Sequence, residues 1–307
     1  MRIAVIGAGG VGGYFGARLA QAGHDVAFVA RGAHLAAMRA HGLHVESAVG
    51  DVALARVDAT DDPASLAPVD VVMFCVKLWD VEPGAAQLAP LVERGGVVIP
   101  FQNGIDSVDI LTRAVGNRVL GGVAYIAASI RAPGIIAHVG TMARLRVGAF
   151  DDAALAARAQ AFVDACTAAG VQAEHPPDIR EALWEKFVFL NALSGLTCLA
   201  RQPLGVIRAD PELRATFEAS MRETVAVARS QRVALPEDFI ARQLRALDTL
   251  PAEMRSSMLN DLVAGHRLEA PWLCGRVAEL AASTGIAAPV NATVYAALKP
   301  YLDGAAH

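Results

Sequence analysis

Two groups of residues in this chain have types and spacings that could do chemistry. The first is Gly7–Gly12, a glycine-rich segment that follows the short apolar run Arg2–Ile6. A strand, a glycine-rich turn and a helix in this order set backbone N–H groups against a pyrophosphate. The second is Lys186, which shares one helical face with Leu183 and Leu190. Because apolar surroundings lower the pKa of a lysine, Lys186 is a candidate proton donor. A helix-surface lysine that extends past its apolar neighbours into solvent is the alternative.

The glycines have separate roles in the predicted turn. Gly7 permits the tight turn, and Gly9 lets the backbone approach phosphates without a Cβ in the way. Gly12 lets the following helix, which should begin near Val11, pack closely on the strand. A glycine-rich turn without a ligand is the alternative. The strand-like run before it and the amphipathic stretch after it favour a dinucleotide site.

Arg31 predicts which dinucleotide binds. It follows the second predicted strand, Asp25–Ala30, where sites that prefer NAD usually carry Asp or Glu to accept hydrogen bonds from the ribose. Arg31 instead offers a charge-assisted partner to a 2′-phosphate and leaves nothing to reject it. A solvated surface arginine is the alternative. The sequence therefore predicts NADPH over NADH.

Composition excludes several classes of function. The 307 residues carry a formal net charge of −4 with no basic run, which argues against nucleic acid as a partner. Although 54% of the residues are hydrophobic, no apolar run reaches the roughly 18 residues of a membrane span. The first residues lack the features of a signal peptide, so a cytoplasmic location is expected. The four cysteines are widely spaced, so neither a metal site nor a disulfide framework is expected.

The first half of the chain has the pattern of a doubly wound parallel sheet of the Rossmann type. Strand-like and helix-like segments alternate, and the strands at Val69–Val76 and Gly96–Phe101 are apolar almost throughout, as strands buried on both faces should be. An antiparallel extension should turn at Pro133-Gly134. A helix near Ala153–Ala169 and a strand at Val171–Glu174 should complete this α/β domain.

A boundary is predicted at His175–Asp178, where paired prolines disfavour both helix and strand. We therefore predict a dinucleotide-binding domain at 1–175 and an all-α domain at 176–307, with a cleft between them. Asp178 should cap the first helix of the second domain. The expected helices are Ile179–Leu199, Pro211–Gln231, Pro236–Leu247, 256–264, Ala270–Gly285 and Ala292–Tyr301. A homodimer is expected through this domain, because an apolar-rich helical domain often has a face to bury.

Polar turns follow the two apolar strands, and they contain Lys77 and Asn103. Ligands of open α/β sheets lie at the carboxyl ends of the strands, so both residues should line the cofactor cleft. Taken alone, Lys77 would be a solvated loop charge, and Asn103-Gly104 would be a turn signal.

The chain resembles the ketopantoate reductase family, also called 2-dehydropantoate 2-reductases, over almost its whole length. The segments that carry the resemblance are Gly7–Gly12, Arg31, Cys75–Trp79, Gln102–Gly104, Glu181–Lys186, Ser256–Asp261, Glu269 and Ala288–Asn291. It implies a Rossmann domain followed by a helical domain like that of 6-phosphogluconate dehydrogenase. It also implies reduction of 2-dehydropantoate to pantoate by NADPH, in pantothenate biosynthesis.

The resemblance implies roles for single residues as well. Lys186 corresponds to the general acid, and Glu269 to the residue that holds the lysine and the substrate hydroxyl. Ser257 corresponds to the residue that binds the substrate carboxylate, whereas Lys77 and Asn103 would lie between cofactor and substrate. Taken alone, Ser257 would be an N-terminal helix residue and Glu269 a surface carboxylate. The predicted sets are Lys186 and Glu269 for catalysis, Gly7, Ala8, Gly9, Gly10, Val11, Gly12, Arg31, Lys77 and Asn103 for NADPH or NADP⁺, and Asn103, Ser194 and Ser257 for substrate.

The helix that carries Lys186 departs from the family pattern. Pantoate-forming members have Asn four and eight residues after the lysine, where this chain has Leu190 and Ser194. Leu190 cannot form a hydrogen bond, and Asn191 points about 100° away around the helix. Each lost bond should weaken binding of a hydroxylated substrate by about 1 kcal/mol or more.

Three functions therefore stay open. The first is reduction of 2-dehydropantoate. The second is a paralogous reductase of a different, more apolar 2-oxo or 3-hydroxy acid, which Leu190 favours. The third is a non-catalytic NADPH-binding protein that senses redox state, which would leave Lys186, Ser257 and Glu269 without a purpose.

Overall fold

The computed structural model describes residues 1–304. Residues 1–102 and 106–182 form one compact unit, and 103–105 with the chain from Leu183 onward form a second. In chain order the strands are β1 (Arg2–Ile6), β2 (Asp25–Val29), β3 (Leu43–Ser47), β4 (Val52–Leu54), β5 (Asp58–Thr60), β6 (Val71–Phe74), β7 (Val97–Pro100), β8 (Gly121–Ala132), β9 (Ile135–Gly148) and β10 (Gln172–Glu174). The helices before residue 175 are α1 (Gly10–Gln21), α2 (Gly32–His41), α3 (Val81–Ala85), α4 (Ala89–Val92), α5 (Ser107–Val115) and α6 (Ala153–Ala168).

A five-stranded parallel sheet forms the centre of the first unit, in the order β5-β2-β1-β6-β7. Strands β1, β2, β6 and β7 are buried on both faces. In β1, for example, Ile3 and Val5 belong to one apolar cluster and Ala4 and Ile6 to another. This burial explains why the strands read as almost continuous apolar runs. The predicted parallel Rossmann-type sheet is confirmed.

A second sheet has the order β10-β9-β3-β4, and β8 pairs antiparallel with β9. The β8–β9 turn is at Pro133-Gly134, where Gly134 has φ +77, so the predicted antiparallel extension is confirmed. Strands β3 and β4 were not predicted. In β3 the buried Leu43 and Val45 alternate with polar residues, which is too short an alternation to stand out in the sequence.

The second unit is helical. Its helices are α7 (Ile179–Ala200), which begins in the first unit, α8 (Leu204–Ala209), α9 (Pro211–Ser230), α10 (Phe239–Thr249), α11 (Ser257–Val263), α12 (Cys274–Thr284) and α13 (Pro289–Leu298). Phe187, Phe217 and Phe239 lie at the centre of its core. The two units divide inside α7, between Ala182 and Leu183. The domain division at 175/176 stays a prediction.

Local chemistry sets the helix ends. Asp178 Oδ1 accepts hydrogen bonds from the backbone N–H groups of Arg180 and Glu181, at 2.7 and 3.3 Å, so it caps α7 as predicted. Helix α12 begins later than predicted because Ala270–Trp272, which includes a proline, forms a 3₁₀ turn. The short helix α8 was not predicted. Within residues 1–304, no helix is both long enough and apolar enough to cross a membrane.

Candidate active site

The glycine-rich turn joins β1 to α1. Gly7 has φ +97, and a Cβ there would lie 2.9 Å from the carbonyl carbon of Cys75 at the end of β6. A Cβ at Gly12 would lie 2.3 Å from the carbonyl oxygen of Gly7. Both positions therefore require glycine for close packing. At Gly9 an added Cβ would meet no atom within 4 Å, so the protein leaves open space above this part of the turn.

Helix α1 and His34 complete the surroundings of this turn. The helix begins at Gly10, and its N-cap residue Gly9 supplies no side chain to cap it, so its first N–H groups remain available for an anion. The backbone N–H of Gly134 donates to His34 Nδ1 at 3.0 Å, which leaves Nε2 as the donor to the Ala8 carbonyl oxygen at 2.9 Å. Burial lowers the pKa of His34, so the neutral ring fixes the turn.

Arg31 immediately precedes α2, and its side chain is 73% exposed. Its Nη1 lies 3.7 Å from Oδ1 of Asp80. Lys77 lies in the loop after β6, just before the 3₁₀ turn Leu78–Asp80, and its Nζ lies 5.5 Å from the centre of the Trp79 ring. An open glycine turn beside an exposed arginine fits a dinucleotide with a 2′-phosphate. The expectation that nothing near Arg31 would reject such a phosphate needs correction, because Asp80 lies beside it.

Gln102 ends the β7 segment and ties it to the neighbouring strand. Its Nε2 donates to the carbonyl oxygens of Phe74 at 2.9 Å and Val76 at 3.1 Å. Gln102 thereby fixes the backbone just before Asn103. In the sequence Gln102 stood out only as part of a segment that resembles the family, and its burial in the structure is what shows this role.

Lys186, Asn103 and Glu269 come together in the second unit. Lys186 is half-buried on α7, and its Nζ donates to Asn103 Oδ1 at 3.0 Å. Burial lowers the pKa of Lys186 to about 8, and the negative charge of Glu269 opposes this by raising it. Glu269 is itself 6% exposed. Lys186 therefore is a lysine that can release a proton near neutral pH; an amide accepts a hydrogen bond from it, and the charge of a carboxylate acts on it.

Ser257 is exposed at the first position of α11. The preceding residue, Ser256, caps this helix by accepting a hydrogen bond from the backbone N–H of Leu259 at 3.0 Å. Ser256 Oγ also lies 2.8 Å from Thr197 Oγ1, which donates to the carbonyl oxygen of Leu193 at 2.6 Å. Since the Thr197 proton is committed to Leu193, Ser256 donates to Thr197. This buried chain ties α7 to the start of α11 and so fixes the backbone beside Ser257.

The role of Ser194 in substrate binding stays a prediction. The side chain of Ser194 is only 1% exposed. Leu190 is half-buried. The adjacent Asn191 donates to Thr224 Oγ1 at 3.1 Å and to Asn291 Oδ1 at 2.7 Å. Because these bonds hold α7 to α9 and α13, Asn191 does not replace the asparagine that Leu190 lacks.

Two interactions of the site were missed by sequence analysis. Asp80 was not singled out in the sequence. It follows β6, a strand adjacent to β1, and this position of a carboxylate could have indicated a partner for Arg31. The Thr197–Ser256 pair lies 59 positions apart in the chain, and no local pattern indicates it. Within residues 1–304, no group of three or more His, Cys, Asp or Glu side chains could hold a metal ion.

Known proteins resemble this chain in both units. Residues 3–152 match the family described as ketopantoate reductase PanE/ApbA, and residues 178–302 match its C-terminal part. The 2-dehydropantoate 2-reductase of Mesorhizobium japonicum is 32% identical over 91% of each chain. The crystal structure of 2-dehydropantoate 2-reductase from Geobacter metallireducens is 30% identical, covers 97% of this chain and 99% of its own, and has a TM-score of 0.90. A D-mandelate dehydrogenase structure with NADH, 20% identical over 98% of each chain, shares the fold with a TM-score of 0.90. With matches to both family segments and to these reductases, the chain belongs to the ketopantoate reductase family of oxidoreductases.

Proposed function

We propose that this protein reduces a small 2-oxo acid with NADPH, and that the reaction is reduction of 2-dehydropantoate to (R)-pantoate. The observation that carries the proposal is the environment of Lys186: its Nζ is 3.0 Å from Asn103 Oδ1, and burial lowers its pKa to about 8. Reduction of a ketone needs a proton donor at the oxygen, and this lysine has the acidity and the orientation for it.

When bound, NADPH supplies a hydride to the ketone carbon. Lys186 donates its proton to the carbonyl oxygen as negative charge develops there. Glu269 favours the charged ammonium and so keeps Lys186 protonated before the reaction. Asn103 accepts one N–H of the ammonium, which fixes the direction of the remaining two.

Substrate orientation is assigned to Ser257. Its exposed hydroxyl donates to the carboxylate of the oxo acid, in a charge-assisted hydrogen bond. Ser256 and Thr197 hold the backbone beside it. Ser194 is assigned a lesser role, because its side chain is buried.

NADPH is assigned to the glycine-rich turn and Arg31. The open space at Gly9 lets the pyrophosphate approach the backbone, and the first N–H groups of α1 face its negative charge. The exposed guanidinium of Arg31 binds the 2′-phosphate. Lys77 lies in the loop after β6 and adds a second positive charge at the carboxyl edge of the sheet.

The test is NADPH oxidation with 2-dehydropantoate and, in parallel, 2-oxoisovalerate, which lacks the hydroxymethyl group. A clear preference in kcat/KM for 2-dehydropantoate supports the proposed reaction. Tight NADPH binding with little turnover of 2-dehydropantoate would contradict it.

A second candidate function is reduction of a more apolar 2-oxo acid by the same chemistry. Leu190 favours it, because the amide that follows it in the chain, Asn191, is committed to Thr224 and Asn291. A substrate hydroxyl near Leu190 would lose a hydrogen bond that it makes in water. A panel of 2-oxo acids with apolar side chains separates the two candidates.

Replacing Leu190 tests this specificity directly. In Leu190→Asn the amide can bind a substrate hydroxyl, so we expect the ratio of kcat/KM for 2-dehydropantoate to that for 2-oxoisovalerate to rise about fivefold, as one hydrogen bond allows. Leu199→Asn is the matched control, because Leu199 lies on the same helix and is 42% exposed. An unchanged ratio in Leu190→Asn would remove Leu190 from the substrate site.

The cytoplasmic location and the homodimer remain proposals that the sequence supports. Light scattering during size-exclusion chromatography tests the second of them. A mass of one chain at micromolar concentration would contradict a stable dimer.

A further inference from the structure

An ion pair joins the loops that follow the two neighbours of β1. Arg31 follows β2, and Asp80 ends the 3₁₀ turn Leu78–Asp80 that follows β6. Arg31 Nη1 lies 3.7 Å from Asp80 Oδ1, and the two side chains are 73% and 33% exposed. Asp80 is also the residue before α3, but its side chain does not cap that helix. Its carboxylate therefore faces Arg31 without a competing role in capping.

The pair has a direct consequence for an anion at Arg31. A phosphate that binds this guanidinium comes within a few ångströms of the Asp80 carboxylate, because the two groups share the same partner. The phosphate carries between one and two negative charges near neutral pH, so it must displace Asp80 and then lie beside its charge. A ribose hydroxyl, by contrast, can donate a hydrogen bond to a carboxylate.

We infer that Asp80 is a second determinant of coenzyme choice and that it opposes Arg31. Arg31 attracts the 2′-phosphate of NADPH, whereas Asp80 repels it and accepts a hydrogen bond from the ribose of NADH. The protein therefore prefers NADPH by a narrow margin and also uses NADH. This inference rests on the proposed binding of the 2′-phosphate at Arg31.

Binding of two adenosine nucleotides tests this without turnover. Adenosine 2′,5′-bisphosphate and 5′-AMP differ only in the 2′-phosphate, and calorimetry on the full chain gives Kd for each. In Asp80→Asn we expect the affinity ratio of the bisphosphate to 5′-AMP to rise about threefold to tenfold, because one nearby negative charge is gone. In Arg31→Ala the same ratio should fall about tenfold.

Asp61→Asn is the matched control. Asp61 also pairs with an arginine of this unit, Arg39, at 3.5 Å, so the substitution changes the net charge equally but leaves the Arg31–Asp80 pair intact. In Asp61→Asn the affinity ratio of the bisphosphate to 5′-AMP should stay within about twofold of the ratio in the unaltered protein. A gain as large as that of Asp80→Asn would overturn the inference, since general charge would then explain it.

The remaining outcomes separate the two claims. If Asp80→Asn leaves the ratio unchanged while Arg31→Ala lowers it, the role of Asp80 is overturned and the proposed NADPH site stands. If Arg31→Ala leaves the ratio unchanged, the 2′-phosphate does not bind Arg31, and both claims fail. Steady-state kinetics with NADH and NADPH give a second readout, in which Asp80→Asn should shift the kcat/KM preference toward NADPH by the same factor.

Discussion

Lys186→Met is expected to lower kcat by a factor of about 10² to 10⁴, the range that general acid catalysis contributes. The substitution keeps the length and apolar character of the side chain but removes the ammonium that donates to Asn103. The half-buried position accepts a methionine, so the fold should survive. NADPH affinity should stay within about twofold, because Lys186 and the glycine-rich turn belong to different units. The measurements are steady-state turnover and an NADPH titration by fluorescence.

The chain offers a matched control for this experiment. It has only three lysines, Lys77, Lys186 and Lys299, and Lys299 lies 5.1 Å from the centre of the Tyr295 ring, outside the site. Lys299→Met should leave kcat unchanged. Near-normal turnover of Lys186→Met would remove this lysine from the mechanism, whereas loss of NADPH binding would show that the substitution disturbs more than the proton donor.

Much of the fold could be predicted from the sequence because its local signals are strong. Strands buried on both faces are apolar at almost every position, so β1, β6 and β7 stand out as apolar runs. Proline and glycine mark the turn between β8 and β9. Strands β4 and β5 have three residues each. Such segments form only because longer neighbours offer an edge, so their own residues carry little signal.

The parts of the candidate site that belong to a sequence motif could be predicted. The parts that depend on contacts between distant segments of the chain could not. The glycine-rich turn has a fixed spacing, from which the packing roles of Gly7 and Gly12 were predicted. The partner of Arg31 is a different case. Asp80 meets it only because parallel strands bring the ends of β2 and β6 to one edge of the sheet. The commitment of Asn191 to Asn291 depends likewise on packing between helices far apart in the chain.

Glu269→Gln should move the pH dependence of the reaction to lower pH. In the proposed mechanism Lys186 donates the proton, so activity should require its charged form and should fall as the pH rises through the pKa of about 8. Glu269 raises this pKa, because a nearby negative charge favours the ammonium. Its neutral isostere removes that support, so the pKa of Lys186 should fall. The measurement is kcat/KM for the oxo acid against pH, with NADPH saturating.

The shape of this profile separates an electrostatic role from a structural one. Well above pH 8 the kcat/KM of the variant should be roughly tenfold lower than that of the unaltered protein, because a smaller fraction of Lys186 is protonated. On lowering the pH the loss should shrink as the lysine regains its proton, whereas damage to the fold would lower kcat/KM equally at every pH. Glu253→Gln, at an exposed position in the same unit, should reproduce the unaltered profile.

Glu269→Asp adds the decisive comparison, because it keeps the negative charge and shortens the side chain. The fall of kcat/KM at high pH should then occur close to the pH at which it occurs in the unaltered protein, while KM rises if Glu269 also holds the substrate hydroxyl. Equal shifts in Glu269→Asp and Glu269→Gln would mean that position rather than charge sets the acidity of Lys186. A descending limb that stays in place in Glu269→Gln would show that another group titrates, and Lys186 would no longer account for the proton that the reaction requires.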